Sequence, residues 1–394
     1  MMDTKLLANT TGGGKFSNVF AKENSVSTRD SNAELLRIIC MLMIVCHHFI
    51  VHAFFPNILK GEYSNSAEAF CFYVHGFIYV GVNVFVLITG YYGIKTRVHS
   101  FTNLYLMYAL YGLLVVLAIN IGALLPMWAD TATASMAIPK RLFFAFRHIF
   151  FPFTTGGCWF LNAYLGLLFL SPLLNIAREH INKRQYQIIL IMLTISSLYF
   201  GWYRVANVFD GKGYSIAQFL YLYMIGGYLR RYVDFRKWRT CGIGLYVGGA
   251  LLWGLLNFLR LEVPDMLGVR IPNTFLHWGM WTYNHPCILL ASIGLFVFVM
   301  SFHFQSKAVN WIAASCVGVY VLQEGGLFKY KWVSGFAQHL VLSPWQMVMV
   351  LLPLSIIFFC IAILVDKVRI PIQKIINKPI DKAIGHLVKS VLKS

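Results

Sequence analysis

The sequence predicts an all-α integral membrane protein, a bundle of about ten transmembrane helices with both termini cytoplasmic. Three observations predict it. First, the 394 residues are 58% hydrophobic and only 12% charged. A soluble domain averages about 45–50% apolar and about 25% charged, so polar surface here is too scarce to coat a soluble globule. That excludes a soluble enzyme and a disordered chain. Second, the apolar residues gather in runs of the roughly 17–25 residues that a helix needs to cross a bilayer. Third, the cations sort by side. The formal charge is +18 from 33 Lys and Arg. With the N-terminus inside, 22 of these cations lie in inner segments, 10 in outer loops, and Arg37 lies within a span. Cytoplasmic loops carry such an excess. The same sorting argues against a nucleic-acid partner, which would need basic residues gathered on one polar domain.

The elements follow in order. Residues 1–34 are rich in Thr, Gly, Ser and Asn and read as a disordered cytoplasmic tail. The GGGK at 12–15 lacks the spacing of a phosphate-binding loop. Apolar runs then predict spans at 35–54, 69–92, 101–124, 158–176, 186–203, 216–230, 241–259, 283–302, 308–324 and 345–365. The runs do not alternate, so helices are expected in place of barrel strands. The first span reads as an uncleaved signal anchor. The outer loop at 126–157 puts Lys140, Arg141 and Arg147 on the less favoured side, and its 142–146 and 149–153 stretches suit an interfacial helix. Domain boundaries follow as 1–34, a membrane domain at 35–366, and a basic amphipathic segment at 367–394 with Ile380, Ile384, Leu387 and Val391 at helical spacing. That last segment is expected to meet membrane lipids of the inner leaflet. The eight cysteines show no CxxC and no metal-ligand spacing, so no metal is expected.

Ionisable groups inside spans are costly and therefore candidates for function. The first span holds Arg37, His47, His48 and His52. Eleven residues separate Arg37 from His48, nearly three helical turns, so they share a face roughly 16 Å apart along the axis. His52 lies one turn further, and His47 points about 100° away. Arg37 reads either as a snorkelling interfacial cation or as a ligand for a phosphate or carboxylate. The histidines read either as interhelical hydrogen-bonding groups or as a proton-transfer group. Asn83, Gly90 and Gly93, followed by Lys95 and Arg97, read as helix packing plus an inner anchor, or as the opposite wall of an anion site. Trp159, Asn162 and Tyr164 open the fourth span, where aromatics often form an interfacial belt. Glu324 ends the ninth span at the level expected for His48, His52 and His285, where a carboxylate could orient an imidazole or simply meet outer water.

Five pieces together resemble the acyltransferase-3 family of integral membrane acyltransferases. They are ELLRIICMLMIVCHHF at 34–49, FVLITGYYGIK at 85–95, CWFLNAYLGLLFLSPLL at 158–174, YLYMIGGYLRRY at 221–232 and CVGVYVLQE at 316–324. They occur in the family's order over about 32–366. The resemblance implies a ten-helix fold that moves an acyl group, commonly acetyl, from a cytoplasmic donor such as acetyl-CoA, with no bound cofactor. The acceptor it implies is a sugar hydroxyl on a surface polysaccharide or a lipid-linked glycan precursor, in a bacterial inner membrane. It also implies His48 as the catalytic residue and Arg37 as its companion, with the adjacent His47 leaving the register open by one. The family's YLIH-like piece reads YVLQE here, so Gln323 stands where a His is usual and attention moves to Glu324.

The expectation from both readings is an O-acyltransferase. Arg37, Lys95 and Arg97 would meet the phosphates of acyl-CoA. His48 would activate the acceptor hydroxyl or carry the acyl group, with Glu324 its orienting partner and Asn83 or Asn162 the alternatives. Trp159, Tyr164 and other outer aromatics would stack on a glycan or glycolipid acceptor, with His47, His52 and His285 nearby. The competing class is a transporter or flippase for a polar lipid or acyl donor, which also places charges in the membrane, although no paired inverted halves are evident. A glycan polymerase is disfavoured by the 15 acidic residues, few of them near spans.

Overall fold

The computed structural model describes residues 30–54, 65–95, 98–122, 158–203, 212–268, 282–324 and 344–391, with isolated positions between 139 and 151. Among these residues the chain is helical throughout. Five helical stretches are long and apolar enough to cross a membrane: Ser31–His52, Cys71–Tyr92, Trp159–His180, Arg239–Leu259 and Trp345–His386.

Helix α1 covers Ser31–Phe49 and widens into a π-helical turn at Ile50–Phe54. The predicted span at 69–92 is two helices, α2 (Asn65–Ile78) and α3 (Gly81–Tyr92), separated by a turn at Tyr79 and Val80. Helices α4 (Val98–Gly122), α5 (Trp159–His180), α6 (Lys183–Tyr203), α7 (Ile216–Tyr232), α8 (Arg239–Leu267) and α9 (Pro286–Met300) follow. The predicted span at 308–324 is also broken, into α10 (Lys307–Ala313) and α11 (Cys316–Leu322). Each of the ten predicted spans thus has a helical counterpart, two of them interrupted. The final helix α12 runs from Pro344 to Val391 through Pro353, Pro371 and Pro379, without a break at residue 366.

Local chemistry sets several starts. Ser215 accepts from the Gln218 N–H and caps α7, and Ser306 accepts from the Val309 N–H and caps α10. His285 caps α9 by accepting from the Cys287 N–H, with Pro286 at the first helical position, where its missing N–H costs nothing.

Helix α1 lies among α3, α10, α11 and α12, while α3 packs on α7 and α8 packs on α9 and α2. The α3–α7 contact depends on Gly90, since a Cβ there would collide with the Tyr223 backbone. The distribution of polarity is inverted relative to a soluble bundle. Phe169, Leu173, Ile191, Ile195, Leu252, Ile357 and Ile361 face outward, while His47, His48, His75, Asn83, Gln323, Glu324 and Asp366 are buried. A soluble helix turns its charged face out. In lipid the outward face is apolar and polar groups pair inside. Together with the five long apolar helices, this inversion supports a membrane protein.

The predicted tail falls largely outside the described residues, as does most of the predicted interfacial helix, although Phe143, Phe146 and Phe150 are exposed. Beyond residue 366, α12 lies along α4. Gln373 donates to the Asn103 carbonyl at 2.6 Å, Asn377 donates to the Asn103 side chain at 3.1 Å, and Thr102 donates to Asp381 at 2.5 Å.

Candidate active site

Helix α1 carries polar chemistry at both ends. At its first turn Arg37 Nη1 lies 2.5 Å from Glu34 Oε1, an i,i+3 ion pair in which the carboxylate is buried and the guanidinium is 28% exposed. The guanidinium faces a cavity of about 590 Å³. Its walls come from the C-terminus of α3 (Thr89, Tyr92, Gly93, Lys95), from α4 (His99, Asn103), from α5 (Phe160, Tyr164), from α11 and from Arg369 of α12. Gly93 ends α3 with φ +74°, a conformation that favours glycine, and it turns the chain so that Lys95 reaches this rim.

Arg369 was not among the residues expected at the site. Its Nε donates to Asp366 Oδ1 at 2.7 Å, and Tyr111 donates to the same oxygen at 2.6 Å. Asp366 is fully buried, so this pairing is what allows a carboxylate there at all.

At the other end of α1, His48 Nε2 lies 3.2 Å from Glu324 Oε1, with both side chains 9% exposed. Glu324 continues α11 through a short π-helical turn. The His48 and His52 rings are 5.7 Å apart. His47 points elsewhere. Its Nδ1 is 2.7 Å from Nε2 of His75 on α2, so one ring donates and the other accepts. The His47 and His75 rings stack at 4.9 Å, and Tyr79 and Trp253 enclose them.

Beyond Tyr79 lies a set of aromatic rings. Tyr79 stacks on Tyr283 at 4.3 Å, Tyr214 meets Tyr283 at 4.9 Å, and Trp159 meets Tyr214 at 4.4 Å. Phe160 lies between the surroundings of the two ends of α1. That residue lines the Arg37 cavity, and its ring is 5.1 Å from Tyr320, one helical turn before Glu324.

The sequence-predicted residues therefore divide. Arg37, Lys95 and Tyr164 line one cavity; Tyr164 sits there and not among the outer aromatics with Trp159. His48, Glu324 and His52 form the second group. Asn83 donates to the Tyr283 carbonyl at 2.8 Å and so supports the aromatic set instead of an imidazole. The buried Asn162 Oδ1 has no hydrogen-bond partner among the described residues. His285 serves as the cap of α9. Gln323 donates to the sulfur of Met41 at 3.7 Å. Arg97 lies outside the described residues.

Sequence reasoning missed His75, although an ionisable residue in a span is a signal by itself. It also missed the partnership of Glu34 with Arg37, which i,i+3 spacing allows. Tyr79, Tyr214 and Tyr283 come from three distant segments and carry no such signal. No group of three or more His, Cys, Asp or Glu suited to a metal occurs among the described residues.

No curated protein and no solved structure matches this chain. The profile of an acyltransferase domain does match, over residues 30–366, from the first turn of α1 to Asp366. With that domain covering most of the sequence, the chain belongs to the acyltransferase-3 family, and its activity is acyl transfer.

Proposed function

We propose that the protein is a membrane O-acyltransferase that moves an acyl group, acetyl in the simplest case, from cytoplasmic acyl-CoA to a sugar hydroxyl of a surface polysaccharide or its lipid-linked precursor. The observation that carries this reading is the placement of His48 beside Glu324, at the opposite end of α1 from a cavity lined by Arg37, Lys95 and Arg369. The excess of cations in the inner segments supports both termini in the cytoplasm, and the family resemblance points to a bacterial inner membrane as the location.

The chemistry follows from what each end offers. Arg and Lys suit phosphate oxygens, with the Arg fork giving directional bonds. Phosphates of acyl-CoA would rest at the Arg37–Lys95 end, with Arg97 as a further cation. The pantetheine arm would run past Tyr164 and Phe160 toward His48. With His48 Nε2–H donating to the Glu324 carboxylate, the basic nitrogen of the neutral ring is Nδ1. That nitrogen takes the proton of the acceptor hydroxyl as its oxygen attacks the thioester carbonyl. The C–S bond then breaks, and the leaving thiolate takes the proton back from the imidazolium. The carboxylate stabilises the cationic ring in between. Trp159 and Tyr214, both partly buried, would stack on a sugar through what ring surface they leave open.

Radiolabelled acetyl-CoA fed to vesicles holding the purified protein tests the reading. Label is expected on a glycan or glycolipid. Donor movement across the membrane without label on an acceptor would instead make the protein a transporter.

A further inference from the structure

A second cleft, of about 550 Å³, opens on the other side of the Tyr92–Lys95 segment from the Arg37 cavity. The two share that segment as a common rim. Arg178 of α5, Arg230 and Arg231 of α7, and Lys95 line the second cleft, with Glu179 as the only acid there. Four cations against one carboxylate leave a local excess of positive charge.

The arginines do different things. Arg230 donates to the Tyr91 carbonyl at 3.0 Å, and Arg231 to the Arg178 carbonyl at 2.8 Å, so each covers the carbonyl end of a neighbouring helix. Arg178 is placed differently, beside the Tyr186 hydroxyl. Its guanidinium rests over the Tyr223 ring at 5.0 Å, and its buried Nη1 has no hydrogen-bond partner among the described residues. A buried cationic donor without an acceptor is costly, unless a ligand supplies one.

The Tyr223 ring beneath that guanidinium is itself fixed by hydrogen bonds. Tyr223 donates to Asn175 Oδ1 at 2.6 Å, Asn175 donates to the Ile94 carbonyl at 2.9 Å, and the Ile94 N–H donates back to Tyr223 at 3.0 Å. Beside it Gly93 has no side chain, and a Cβ there would sit 3.7 Å from Arg178 Nη1. The site is therefore a guanidinium backed by a fixed ring at the wall of an open cleft.

We propose that this second cleft is a phosphomonoester subsite in which Arg178 receives the 3′-phosphate of a CoA-type donor, with Lys95 shared between that phosphate and the donor's pyrophosphate at the Arg37 side. This rests on the donor reading above and adds to it a reason for CoA to be chosen over carriers that lack the extra phosphate. A lipid headgroup offers the same phosphate chemistry, and the experiment separates the two sources.

Binding of CoA and of dephospho-CoA to the purified full-length protein would be measured in nanodiscs of phosphatidylcholine and of phosphatidylglycerol. CoA is expected to bind roughly tenfold more tightly than dephospho-CoA, the scale of one charge-assisted hydrogen bond. In Arg178→Gln the ratio should fall toward one. Glu179→Gln, an exposed change with little risk to folding, should widen it. Equal binding of the two nucleotides by the wild type, or an unchanged ratio in both variants, overturns the subsite while leaving the donor reading intact. No binding of either nucleotide overturns the donor reading itself. A preference seen in phosphatidylcholine and lost in phosphatidylglycerol assigns the phosphate to lipid and overturns the donor assignment.

Discussion

The two ends of α1 differ in burial and in charge. The Arg37 end is open and rich in cations: Arg37 is 28% exposed, paired to Glu34, and faces a large cavity with Lys95 and Arg369. The His48 end is nearly sealed, with the imidazole and its carboxylate each 9% exposed and aromatic rings close by. Charges near water attract and hold anions but are screened. A charge pair away from water is poorly screened and can stabilise a developing ionic state. One helix thus separates an end suited to recognition from an end suited to proton transfer.

The largest test of this contrast is to remove the imidazole. His48→Ala should lower acyl transfer by roughly 10²–10⁴-fold, the usual worth of a general base, while donor binding stays within experimental error. Steady-state transfer beside equilibrium donor binding checks it. Next comes the orienting carboxylate. Glu324→Gln keeps the shape and removes the charge, so transfer should fall by about tenfold or more, with a changed pH profile and an unchanged donor KM. Smaller still is the effect at the open end. Arg37→Gln should raise the donor KM by roughly tenfold, the scale of one charge-assisted hydrogen bond, and leave kcat close to wild type. A kcat collapse without a KM change in Arg37→Gln would erase the division between the two ends.

The smallest effect concerns α12 where it lies on α4. Burial alone would raise the Asp381 carboxyl, but the Thr102 hydroxyl and His99, 2.6 Å away, donate to it and hold it below its ordinary value. A depressed carboxyl contributes above its unfolded value of about 3.9 and loses that contribution as pH falls through the folded value. Below about pH 4 the protection of amides in residues 370–391, measured against their intrinsic exchange rates, should therefore fall. Because His99 is 62% exposed, the contribution is expected to stay under about 1 kcal/mol.

Much of this architecture is legible in the chain itself, because each span must satisfy its own backbone hydrogen bonds in lipid and so declares itself as a long apolar run. Arg37 and His48 are legible as a helical-face pair because both sit on one helix and need only its periodicity. Glu324 beside His48 is a long-range pairing, guessed from level alone. The breaks at Tyr79–Val80 and at Ala314–Ser315 fall inside apolar runs, with Phe77 and Ile78 before the first, Ile312 and Ala313 before the second, and Val82 and Val317 after them, so hydropathy does not mark them. The Arg178 cleft is illegible for another reason. Cations at the ends of spans look alike whether they fix topology, cover helix carbonyls as Arg230 and Arg231 do, or keep a buried donor without an acceptor among the described residues as Arg178 does. The difference lies in their partners, and those come from other helices.

The register of the two adjacent histidines decides the central claim. His48 faces Glu324, whereas His47 is spent on His75, 2.7 Å away. Transfer from labelled acetyl-CoA should be measured for His48→Ala and His47→Ala side by side, in protein whose donor binding and thermal unfolding match the wild type. Loss of transfer in His48→Ala with substantial transfer kept in His47→Ala is the predicted result. Full transfer by His48→Ala, or loss in His47→Ala alone, would contradict it.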